Sequence, residues 1–157
     1  MRIIQLTLTA LLTLSTSLAA QDLPEPIQEA MKNKELATIV IYRTPQFQAA
    51  LANWAIFEGG ERLCKLSNKR YMIYQREPGD SEFLAQIGGV QTWPKKKTTL
   101  DIPLEAGQVY FIKTNFKMSF TRGRVELSEV VQRTAVKELA ELLQDRCDLT
   151  EEDDDEN

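Results

Sequence analysis

The chain has 157 residues, of which 43% are hydrophobic and 27% charged, with a formal net charge of −4. These values describe one folded domain with short appendages and exclude a wholly disordered chain, a polytopic membrane protein and two full domains. Histidine is absent, which removes Ser-His-Asp and Cys-His nucleophile pairs and imidazole-ligated zinc or haem.

Residues 1–20 read as an export signal. Met1-Arg2 is a short positive start, Ile3 to Leu14 an apolar run diluted by Gln5 and three threonines, and Ser17-Leu18-Ala19-Ala20 a small-residue cleavage site. The run is shorter than the roughly 20 residues that cross a bilayer, and no cysteine stands near the cleavage point to accept a lipid anchor. The expected location is therefore periplasmic or extracellular, with membrane contact at most peripheral. Charge is unevenly spread: residues 21–144 carry 17 basic against 15 acidic side chains, whereas residues 145–157 carry eight carboxylates and one arginine.

Residues 21–36 read as a linker and short helix. Asp22-Leu23-Pro24-Glu25-Pro26 is stiff and extended, and Ile27, Ala30 and Met31 then recur at helical spacing. Ala37 to Arg43 is β-branched and aromatic with both faces apolar, which predicts a central strand ended by Thr44-Pro45. Asn53 to Glu58 and Glu61 to Leu66 flank Gly59-Gly60, a two-residue loop that supplies the positive φ values of a tight hairpin. Ser67-Asn68 turns the chain into Lys69 to Gln75, and Pro78-Gly79 fits the centre of a type II turn before Glu82 to Ile87.

Thr98 to Leu104 alternates apolar and polar residues, with Pro103 placing it at an edge. Gln108 to Phe116 and Arg124 to Val130 complete the strands. Val136, Leu139, Ala140 and Leu143 then mark an amphipathic helix. The expected fold is mainly β: an antiparallel two-sheet sandwich of about seven or eight strands with a C-terminal helix over residues 37–146. Residues 147–157 form an acidic tail, whose six consecutive carboxylates at Glu151 to Glu156 predict disorder.

In an oxidising compartment an even cysteine count favours pairing. Cys64 and Cys147 are accordingly expected to form a disulfide tying the end of the C-terminal helix to a mid-chain strand. Two separate thiols, or metal binding by the pair, are the alternatives.

Several of these features together follow a known pattern. Ile41-Tyr42-Arg43-Thr44-Pro45 closes the first strand, a glycine hairpin follows, and Pro78-Gly79 precedes a strand. Leu104-Glu105-Ala106-Gly107-Gln108-Val109-Tyr110-Phe111 and a terminal strand leading into a helix complete it. Over about residues 37–140 the chain resembles the bacterial envelope family catalogued as domain of unknown function 2846. The resemblance implies a small β-sandwich of secreted proteins and lipoproteins and carries over no catalytic or binding residues. This chain departs from it in lacking a lipoprotein cysteine and in adding the acidic tail.

Three groups of residues are candidates for function. Trp93 beside Lys95, Lys96 and Lys97 could sit at a membrane interface or stack on a sugar; the favoured alternative has Trp93 capping the core and the lysines keeping an edge soluble. Lys113, Lys117, Arg122 and Arg124 surround a hairpin tip and could receive a phosphate or carboxylate, or attract the acidic tail. Glu58, Glu61, Glu77, Asp80 and Glu82 are the nearest grouping for carboxylate catalysis, but all flank turns, where charge ordinarily keeps hairpins soluble.

The tail lacks the spaced ligands and glycine of a calcium loop. No cofactor or metal is expected, and the negative charge and export signal speak against nucleic acid. The expected function is that of a secreted, noncatalytic β-sandwich module of the bacterial envelope that binds a protein partner through a strand edge or loop face. A carboxylate hydrolase of envelope glycan and a peripheral binder of anionic membrane surfaces are the alternatives.

Overall fold

The computed structural model describes residues 22–47, 50–88, 99–118 and 123–147. The export signal, the tail beyond Cys147, and Trp93, Lys95, Lys96, Lys97 and Arg122 lie outside the described residues. In chain order the elements are α1 (Glu25–Ala30), β1 (Ala37–Arg43), β2 (Trp54–Glu58), β3 (Glu61–Leu66), β4 (Arg70–Arg76), β5 (Gly79–Ile87), β6 (Thr99–Leu104), β7 (Val109–Met118), β8 (Gly123–Val130), α2 (Gln132–Leu139) and β9 (Leu143–Gln144). They form two sheets, β8-β7-β1-β4-β9 and β3-β2-β5-β6, so the two-sheet sandwich holds.

The first sheet is mixed, not purely antiparallel: β1 runs parallel to β7, and β4 parallel to β9. The cause is topological. The chain alternates between sheets, and β6 delivers it through the Glu105–Gln108 turn to the same pole from which β1 starts. There Gly107 donates to the Leu36 carbonyl and Thr38 to the Gln108 carbonyl. β7 must then run beside β1 in the same direction.

Ile39, Ile41, Trp54, Ile56, Leu66, Phe83, Ile102 and Ile112 fill the space between the sheets. The outer face of the first sheet is also covered, because Val40, Tyr42, Tyr71 and Phe111 pack against Leu23, Ile27, Ala135, Leu139 and Leu142 from the helical segments. This three-layer arrangement buries every residue of β1, which is why that strand carries apolar side chains on both faces. Burial of a large apolar side chain contributes about 1.5–3 kcal/mol, so the helices are held mainly by this second core.

The Gly59-Gly60 hairpin forms as expected, with φ of +56° and +91°. Pro103 lies on the edge strand β6. Gly79 opens β5 instead of closing a separate turn. The C-terminal helix begins earlier than its periodicity indicated and ends at Leu139. Leu142 still reaches the core, but Leu143 is 62% exposed on β9. The chain must leave the helix there in order to pair with Arg70 and Tyr71 on β4.

Candidate functional site

Because β1, β5 and β7 all end, and β2, β4, β6 and β8 all begin, at one pole of the sandwich, the strand pairings gather distant residues there. The pole is built on Arg43, the last residue of β1. Its side chain faces the interior and is fully buried. Its guanidinium carbon lies 3.6 Å from the centre of the Trp54 ring, and Nη1 donates to the Ala52 carbonyl at 2.7 Å. Burial lowers the Arg43 pKa to about 10, which still leaves it charged at neutral pH.

Trp54 stacks in turn on Phe116, with ring centres 6.5 Å apart. Gly123 permits this, since a Cβ there would overlap the Phe116 ring. The Trp54 indole nitrogen is buried with no hydrogen-bond partner among the described residues.

Above this base lie exposed apolar side chains. Phe47 and Leu51, in the β1–β2 connection, are 99% and 101% exposed, Met118 at the end of β7 is 69% exposed, and Ile87 ends β5. With Leu143 they make up five of the six large hydrophobic side chains exposed among the described residues; Val131 alone lies toward the opposite pole. The connection is tethered by a reciprocal pair, with the Gln46 amide donating to Asn68 Oδ1 and Asn68 Nδ2 donating to the Gln46 carbonyl.

The structure divides the second basic group. Lys117 and Arg124 lie opposite each other on β7 and β8, and both pair with Glu126, at 2.5 and 2.6 Å. Hydrogen bonding from Lys117, then the charges of both cations, outweighs burial and lowers the Glu126 pKa. Lys113 instead reaches Glu138 of α2 at 2.5 Å. Glu138 also accepts a 2.6 Å hydrogen bond from the Tyr42 hydroxyl. Burial and the adjacent carboxylate push Tyr42 well above the usual phenol range. For Glu138, burial acts upward but is outweighed by the hydrogen bonds from Lys113 and Tyr42, and its pKa is lowered. Lys113 therefore fixes a helix to a sheet, apart from the Lys117–Arg124 pair.

The acidic turn residues lie toward the other pole. Glu58 and Glu61 flank the glycine hairpin, Glu58 is ion-paired with Arg76, and Glu82 faces Asp101 across β5 and β6. Glu61, Glu77, Asp80 and Glu82 are exposed.

Cys64, buried on β3, is disulfide-bonded to Cys147. The bridge thus joins the second sheet to the segment after β9, not to the helix end. Two thiols free to bind metal are replaced by a covalent bond; Asp145 is the third potential metal ligand near them. Its oxygens instead accept from the Ser67 amide at 2.7 Å and the Cys147 amide at 3.1 Å. A cleft of about 350 Å³ opens beside this clamp, lined by Ser67, Arg70, Asp145 and Arg146. Sequence reasoning missed both the cleft and the buried Arg43. The only available signal for Arg43 was its place at the end of a strand buried on both faces.

A two-layer β-sandwich, backed by helices on one sheet and carrying its apolar side chains at one loop pole, is the class of protein these features define. The family described as protein of unknown function (DUF2846) matches residues 33–126, and the chain belongs to it. A comparison with curated proteins finds no match.

Proposed function

We propose that the protein is an exported, noncatalytic β-sandwich module of the bacterial envelope that binds a protein partner through its loop pole. The observation that carries this reading is the concentration there of Phe47, Leu51, Ile87, Met118 and Leu143. Exposed apolar side chains gathered at one end of a protein that otherwise buries such residues mark an interaction site, and apolar anchors ringed by polar groups are the usual composition of one. Lys69, Lys117 and Arg124 at the same pole supply that rim. Export is supported by the N-terminal signal pattern and by the Cys64–Cys147 disulfide, which suits an oxidising compartment. No helix among the described residues is long and apolar enough to cross a membrane.

A photo-crosslinking residue placed at Leu51 tests the reading in cells, with the same residue at Val131 as the control. A discrete protein adduct from position 51, absent from position 131 and reduced by Phe47→Ser, is the expected result. Adducts with lipid only, or equal labelling from both positions, would overturn it.

A further inference from the structure

The cleft beside the disulfide is a separate feature of the loop pole, and its charge is unbalanced. Arg70 enters it from the start of β4 and Arg146 from the segment after β9. Among the described residues Arg70 makes one hydrogen bond, to the Gln144 carbonyl at 3.3 Å. Neither arginine has an ion pair there, in contrast to Arg76, Lys113, Lys117 and Arg124. Among the described residues the one carboxylate lining the cleft, Asp145, is turned to the backbone amides of Ser67 and Cys147.

The wall is also fixed in place. The Asp145 amide donates to the Tyr71 carbonyl at 2.7 Å, and the residue after Arg146 is covalently bonded to Cys64 in the core. Two guanidiniums on a fixed wall are suited to an oxyanion, because their planar donor sets match carboxylate or phosphate oxygens in pairs.

The sequence supplies such oxyanions close by. Glu151 is the fourth residue beyond Cys147 and opens a run of six carboxylates ending at Glu156. Four residues span at most about 13–14 Å, so the run begins within that reach of Cys147, the residue next to Arg146. We propose that the Arg70–Arg146 cleft is a carboxylate-binding site whose occupant is this acidic run of the same chain. Attachment keeps the local concentration of carboxylates high without any strong single contact, so an external anion would have to displace the run. The inference is independent of the protein-binding reading, which concerns the apolar residues.

The side-chain Nε–H signals of Arg70 and Arg146, followed by ¹H–¹⁵N NMR, test this in the full mature chain and in one ending at Thr150. Truncation should shift both signals, and the hexapeptide Glu-Glu-Asp-Asp-Asp-Glu added in trans should return them toward their full-length positions. Raising salt to about 0.5 M should make the full chain resemble the truncated one. Arg70→Gln with Arg146→Gln should weaken peptide binding by about tenfold or more, while an unchanged amide spectrum elsewhere shows that the fold survives. Signals that ignore truncation, or peptide binding undiminished in the double variant, would overturn the proposal. Inorganic phosphate binding equally well to both chain lengths would also overturn it, by showing that nothing in the chain competes for the cleft.

Discussion

Reducing the Cys64–Cys147 bridge should cost as much stability as a large truncation in the core. The cross-link closes a sequence separation of 83 residues, and the chain-entropy relation gives about 4.5 kcal/mol for such a loop at 25 °C. That is a large fraction of the 5–15 kcal/mol typical of a domain. The structure adds a local consequence. β9 is only two residues long, and β9, the clamp residue Asp145 and the cleft residue Arg146 all lie within four residues of Cys147.

Urea denaturation of the mature chain with and without reductant measures the effect. With a slope of about 1.5–2 kcal/mol per molar urea, the midpoint should fall by about 2–3 M. The slope should rise, because the unfolded state is no longer held in a loop. Cys64→Ala with Cys147→Ala should reproduce the reduced protein without reductant, less a small further loss for the space left at buried Cys64. A loss below about 1 kcal/mol in both arms would refute the reasoning, since it would mean that the unfolded chain gains little freedom when the tie is cut.

Gly123→Ala should destabilise by about 1–3 kcal/mol in thermal denaturation, because the new methyl must displace the Phe116 ring. Combining it with Phe116→Leu should cost less than the sum of the two changes. Arg43→Lys should lose about 1–3 kcal/mol and alter the near-ultraviolet circular dichroism of tryptophan, since lysine cannot lay a planar cation over the Trp54 ring. The lowered pKa of Glu138 fixes the sign of its pH dependence: its stabilisation is complete above the ordinary value of about 4.5 and is lost as pH falls through the lower folded value. Glu138→Gln should therefore cost about 1–2 kcal/mol at pH 7 and flatten the acid limb of stability against pH, read from urea midpoints.

Local signals were legible where a residue's own backbone or immediate neighbours decide the outcome. Gly59-Gly60 turns tightly because both residues take positive φ, a freedom that belongs to glycine wherever it stands. Thr38 to Tyr42 announced a doubly covered strand because its apolar side chains exceed what one face can bury. The helical spacing of Val136, Leu139, Ala140 and Leu143 carries the C-terminal helix too far, past Leu142 and Leu143 alike. Only the reach to β4 and Cys64 decides that the first is buried and the second exposed. The candidate lysines showed a similar limit: nothing near Lys113 in the sequence indicates Glu138, 25 residues away, as its partner.

By itself, then, the sequence determined the eight longer strands, the Gly59-Gly60 hairpin, the edge position of Pro103 and the sandwich class, all of which follow from alternation over a few residues and the φ preferences of glycine and proline. Tertiary structure alone decided the parallel pairing of β1 with β7, the burial of Arg43 against Trp54, the splitting of the basic group and the placing of Arg70 and Arg146 on one cleft. Each of these depends on which strand ends share a pole, a property of the path between sheets that no local pattern of side chains encodes.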